Sequence, residues 1–108
     1  MTDLTPLHEA LLELGLEDLI PLPEIRATPE VRDLGEGYQS FEKVSTALVD
    51  LLRAGRIQVW AGHWPDEPTL VSNDVAETIL RDERRYSFDA EADGLERVYF
   101  TNVENLRA

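Results

Sequence analysis

The chain has 108 residues, 10 basic and 22 acidic, giving a formal charge of −12 at pH 7; 43% are hydrophobic and none is cysteine. That length sets a single domain spanning residues 1–108. Without cysteine there are no disulfides, thiolate zinc sites, iron–sulfur clusters or cysteine nucleophiles.

The N-terminal stretch "MTDLTPLHEALLELG" is acidic and broken by polar residues, which argues against a signal peptide or a membrane span. A cytoplasmic protein is the expectation. "TPLHEALLELG" predicts a first helix, with Thr5 as N-cap, Pro6 at the first helical position and Gly15 as a left-handed stop. Leu7, Leu11 and Leu14 share one stripe. Pro21, Pro23 and Pro29 divide the next stretch into short pieces, from which Leu22 and Ile25 reach the core. Thr28-Pro29 begins a short helix ending near Gly35 and Gly37.

"SFEKVSTALVDLLRAG" is the clearest element. Phe41, Val44, Leu48, Leu51 and Leu52 recur at helical spacing, Ser40 is the N-cap candidate and Gly55 the C′ glycine. The period then changes. "RIQVW" alternates, placing Ile57 and Val59 on one face and Gln58 and Trp60 on the other. "GHWPDEP" is a loop. "SNDVAETILRDERR" predicts another helix, with Asp74 and Glu77 as a capping box and Arg84 and Arg85 at its C-terminal end. "YSFDAEADGLERVYFTNV" predicts a hairpin turning at Asp93-Gly94.

Helices first, then a small antiparallel sheet with an inserted helix: the class is α+β. The run "FEKVSTALVDLLRAGRIQVW" resembles the third helix and first wing strand of a winged-helix domain. The C-terminal half, "DVAETILRDERRYSFDAEADGLERVYFTNVENL", resembles small uncharacterised actinobacterial proteins with a helix–hairpin ending. The first resemblance implies a winged-helix-like fold and DNA binding as one expectation. Between the wing strands, however, this chain inserts roughly thirty residues, including a helix, where a winged helix has a short turn.

Charge opposes that expectation. Residues 1–36 carry 9 acidic and 2 basic groups, residues 37–60 carry 2 and 3, and residues 61–108 carry 11 and 5. The outward face of the helix near 41–54 would be Glu42, Lys43, Thr46, Asp50 and Arg53. A groove reader first needs cations for phosphates. If DNA were bound, Lys43, Arg53 and Arg56 would carry the contact. The preferred expectation is no nucleic acid and no membrane, but a basic protein partner.

Motifs for chemistry fail one by one. "HEALLE" has Leu12 where a zinc-binding helix needs its second histidine. Asp89, Glu91, Asp93 and Gly94 match the first half of a calcium loop, but Phe100 stands where the closing glutamate belongs. His63, Asp66 and Glu67 lack a second ligand cluster. No serine lies in a nucleophile elbow. The sequence therefore predicts no catalytic residue, metal or cofactor. What remains is "WAGHWPDE". Trp60 is expected to lie on the sheet face away from the first helices, beneath the helix around Val75, Ile79 and Leu80. Trp64, with Asp66 and Glu67 and with Glu91 and Asp93 from the hairpin tip, forms the candidate protein-binding surface: an aromatic anchor among carboxylates. The functional expectation is a non-catalytic acidic interaction module of immunity or antitoxin type. The alternative is a winged-helix transcription regulator.

Overall fold

The computed structural model describes residues 5–16, 19–25, 28, 31, 41–63, 66–87 and 96–107, with side chains to 105 in the last segment. The expectations for Ser40, for the helix beyond Thr28, for the calcium-like run and for the Asp93-Gly94 turn lie outside them. The fold is α+β, with a four-stranded antiparallel sheet.

Helix α1 (Pro6–Leu14) begins as its sequence dictates: Thr5 is the N-cap, its hydroxyl accepts from the His8 amide, and Pro6 opens the helix. The His8 side chain completes a reciprocal capping box. Strand β1 (Ile20–Pro21) and the one-turn α2 (Leu22–Ile25) come next. The long helix α3 (Phe41–Arg53) buries Val44, Leu48, Leu51 and Leu52 as the periodicity predicts. Gly55 ends it with φ +73°, the left-handed conformation a glycine adopts without strain.

Strand β2 (Ile57–Gly62) alternates buried and half-buried residues throughout. It turns back into the two-residue β3 (Thr69–Leu70) and also pairs with β4 (Arg97–Asn102), so the strand order is β1-β4-β2-β3. Ile57, Val59 and Ala61 face Asn102, Phe100 and Val98 respectively. The apolar members of these pairs join Leu11, Leu22, Ile25, Leu48 and Leu80 in one contiguous core.

Three expectations are corrected. Gly15 is not a left-handed stop: its φ and ψ are −66° and −12°, ordinary right-handed values. It is small because β4 crosses it, and a Cβ there would lie 2.5 Å from the Asn102 amide nitrogen. The helix predicted from Ser72 to Arg85 is shorter. Helix α4 (Asn73–Leu80) has Ser72 as its N-cap residue, with no side-chain capping bond. Arg84 and Arg85 sit instead in a separate 3-10 turn, Glu83–Tyr86, capped by Asp82. Finally, Tyr86 does not begin a hairpin strand. It lies in that turn, and β4 pairs with β1 and β2.

Buried polar bonds tie distant parts of the chain. The Ser45 and Tyr86 hydroxyls both donate to the Leu80 carbonyl at 2.7 Å, closing the C-terminus of α4 against α3. The Asn102 side-chain amide donates to Leu12 O at 3.0 Å, and the Thr101 hydroxyl donates to Gly15 O at 3.0 Å. Those two bonds dock the first helix on the last strand.

Candidate interaction surface

The loop after β2 is a tight reversal. The Asp66 amide donates to the His63 carbonyl at 2.8 Å. Gly62 lets the returning chain close, since a Cβ at that position would meet Pro68 Cα at 2.9 Å. The turn holds Asp66 and Glu67 out in solvent, and neither makes an ion pair among the described residues. His63 is exposed beside them. Among the described residues no three His, Cys, Asp or Glu side chains gather as a metal site. Trp64, Glu91 and Asp93 lie outside the described residues, so the structure brings together only Asp66 and Glu67 of the predicted surface.

Behind this loop lies the second face of the sheet. The registers place Pro21 opposite Tyr99, Tyr99 opposite Trp60, and Trp60 opposite Leu70. Directly opposed residues of an antiparallel sheet project to the same side, so these four form one row across all four strands. Pro21, Tyr99 and Trp60 are half-buried, whereas Leu70 is 53% exposed. The expectation that the helix containing Val75 covers Trp60 fails. α4 packs along α3, where Ser45 reaches Leu80 and Arg53 reaches Glu77, and it puts Ala76, Ile79 and Leu80 into the common core. Val75 consequently points to solvent, 52% exposed. The indole Nε1 of Trp60 is buried without a hydrogen-bond partner among the described residues.

The cations expected to contact DNA are dispersed in role. Lys43, Arg53 and Arg56 are all exposed. Arg53 Nε donates to Glu77 Oε1 of α4, which takes one guanidinium into an ion pair within the protein. α3 is flanked by α1 through the His8–Asp50 bond and by α4 through Arg53–Glu77. Its free face is therefore narrow and carries Glu42 beside Lys43.

The chain matches no family model, no curated protein and no solved structure.

One constellation escapes a reading of the sequence alone. His8 is buried at 7% exposure, and Asp50 approaches it from α3. His8 Nδ1 lies 3.0 Å from the Thr5 amide nitrogen and 2.9 Å from its hydroxyl; Nε2 lies 3.2 Å from Asp50 Oδ2. The Thr5 N–H is a donor, so Nδ1 must accept, which assigns the ring proton to Nε2 and directs it at the Asp50 carboxylate. The sequence signal is present in part: the T-x-x-H spacing fits a capping box with histidine in the glutamate position. Asp50, 42 residues away, gives none.

Proposed function

We propose that this chain is a non-catalytic, acidic, winged-helix-like interaction module whose partner is a basic protein, in the manner of an immunity or antitoxin protein. The observation that carries the reading is the turn at 63–67, which presents Asp66 and Glu67 to solvent without ion-pair partners among the described residues. Arg53, in contrast, is engaged within the protein by Glu77. The net charge of −12 adds long-range attraction for a cationic surface. Among the described residues, no helix is long and apolar enough to cross a membrane.

The strand order supports the winged-helix part of the reading. β1 joins β4, and β4 joins the strand that succeeds the long helix, as the three strands of a winged helix do. β3, α4 and the 3-10 turn then form the insertion between the wing strands. The same order favours a second reading, a DNA-binding regulator that uses Lys43, Arg53 and Arg56.

Affinity capture followed by rate measurements with the captured protein separates them. Asp66→Asn with Glu67→Gln slows association at low salt, and Trp64→Ala speeds dissociation; Glu91→Gln and Asp93→Asn act as the first pair does. Untouched rates in all these variants place the contact elsewhere. Nanomolar, salt-sensitive affinity for a defined duplex, lost on changing Arg53 or Arg56, replaces the first reading with the second.

A further inference from the structure

A cleft lies between the start of α1 and the outer side of α3. It measures about 540 Å³ and is lined by Thr5, Pro6, Leu7, His8, Ala47 and Asp50, with Glu42, Lys43 and Thr46 completing its wall. That size falls within the roughly 300–1,000 Å³ usual for small-ligand sites. We propose that this cleft binds a small aliphatic amine, with the ammonium on Asp50 and the hydrocarbon body along Pro6, Leu7 and Ala47.

The hydrogen-bond arrangement around His8 supports this assignment. The Thr5 N–H donates to ring Nδ1, so Nε2 is the ring nitrogen that faces Asp50 as a donor. That Nε2 lies 3.2 Å from Asp50 Oδ2 and holds this carboxylate oxygen in place. Oδ1 of Asp50 has no partner among the described residues, and the side chain is 44% exposed. Glu42 and Lys43 on the same wall carry opposite formal charges, which leaves Asp50 as the further acidic group of the lining. An oriented carboxylate beside apolar walls selects a cation with a hydrocarbon tail. An anion is repelled there, and a neutral alcohol forgoes the charge-assisted bond. This site is separate from the Asp66–Glu67 turn and does not depend on it.

The probe is hexylamine at neutral pH, followed by amide shifts in a nitrogen–proton NMR titration. Hexanol, hexanoate and ammonium chloride at equal ionic strength serve as comparisons. Hexylamine should shift the amides of Leu7–His8 and Thr46–Asp50, with an affinity on the order of millimolar for so few atoms. Hexanol should bind about tenfold more weakly, and hexanoate and ammonium should leave these amides unmoved. Asp50→Asn retains an acceptor for His8 Nε2–H and should abolish the preference for amine over alcohol. Thr46→Phe, at an exposed position on the cleft wall, should weaken both probes without lowering the melting temperature. Equal binding of all three hexyl compounds, shifts produced by ammonium alone, or an amine preference that survives Asp50→Asn overturns the proposal. So does the absence of any shift in the wild-type protein.

Discussion

Gly15→Ala poses a test in which two effects of opposite sign compete. Gly15 has right-handed helical dihedrals at the end of α1, so on backbone grounds alanine should be the better residue there by about 0.5–1 kcal/mol. Packing opposes this. The new Cβ would sit 2.5 Å from Asn102 N, 3.1 Å from Asn102 Cβ and 3.2 Å from Thr101 C, and two of those three atoms are backbone. Backbone cannot swing aside as a flexible side chain can, so α1 and β4 must separate. Relief of overpacking costs about 1–3 kcal/mol. The separation also stretches the bonds from the Asn102 amide and the Thr101 hydroxyl to Gly15 O, now 3.1 and 3.0 Å. Each is worth about 1 kcal/mol. The expected net loss is about 2–4 kcal/mol, a fall of roughly 10–20 °C in melting temperature at this size. Gly55→Ala is the control. Its φ of +73° strains any L side chain, but nothing lies within 4 Å of the added methyl, so about 1 kcal/mol is expected. Urea melts of the two variants rank them. A Gly15→Ala protein as stable as wild type, or more stable than Gly55→Ala, would show that the first helix does not rest directly on the last strand.

The core of α3 makes a simpler prediction: Leu48→Ala and Leu51→Ala, both at 0% exposure, should each cost about 2–5 kcal/mol in chemical melts. At Asp82 the bonded Arg84 guanidinium holds the carboxyl below the ordinary aspartate range, so its contribution to stability is full above that range and is lost as pH falls below it. Asp82→Asn should therefore flatten the acid limb of a stability–pH curve while changing little below it, and an unchanged limb refutes the pairing. Trp60→Phe removes an indole donor that has no partner among the described residues while keeping an aromatic ring, so it should cost under about 1 kcal/mol, against about 3–5 for Trp60→Ala. A large loss with phenylalanine would show that the indole N–H is bonded.

The long-period features are legible in the sequence, and the pairings are not. Leu48, Leu51, Ile57 and Val59 declare their faces because burial of one stripe or one side repeats every turn or every second residue. β1 and β3 are two residues each, too short for alternation to show; β1 exists through a partner far along the chain, Ile20 with Phe100, and β3 through its return onto β2, Leu70 with Trp60. The two glycines make the same point. Both come after a helix in the sequence, but only Gly55 is there for its dihedral; Gly15 answers to a strand some ninety residues later. Asp74 and Glu77 match a capping box, yet Ser72 is the N-cap residue, and Arg84 and Arg85, expected at the C-terminal end, lie beyond α4. Glu77 instead pairs with Arg53 of α3, and Asp82 restarts the chain as a separate turn. Of the candidate surface, Asp66 and Glu67 are as exposed as expected, since a Pro-flanked acidic loop has few ways to be buried.

The charge distribution connects the fold to its proposed role. Of the three segments, only residues 37–60 carry a positive sum, and they include the helix a DNA reader would use, Phe41–Arg53. In the folded protein that excess is offset locally: Glu77 of α4 pairs with Arg53. The 3-10 turn does likewise, where Asp82 takes Arg84 in a two-point bond at 2.9 and 3.1 Å. Arg53 and Arg84 thus serve internal contacts, while Asp66, Glu67, Asp74 and Glu83 remain exposed. A field built this way is negative over a Debye length of about 8 Å at physiological salt, and it shapes encounter before any contact forms. Phosphate binding would have to release Arg53 from Glu77 and overcome that field; a basic protein surface would have to do neither.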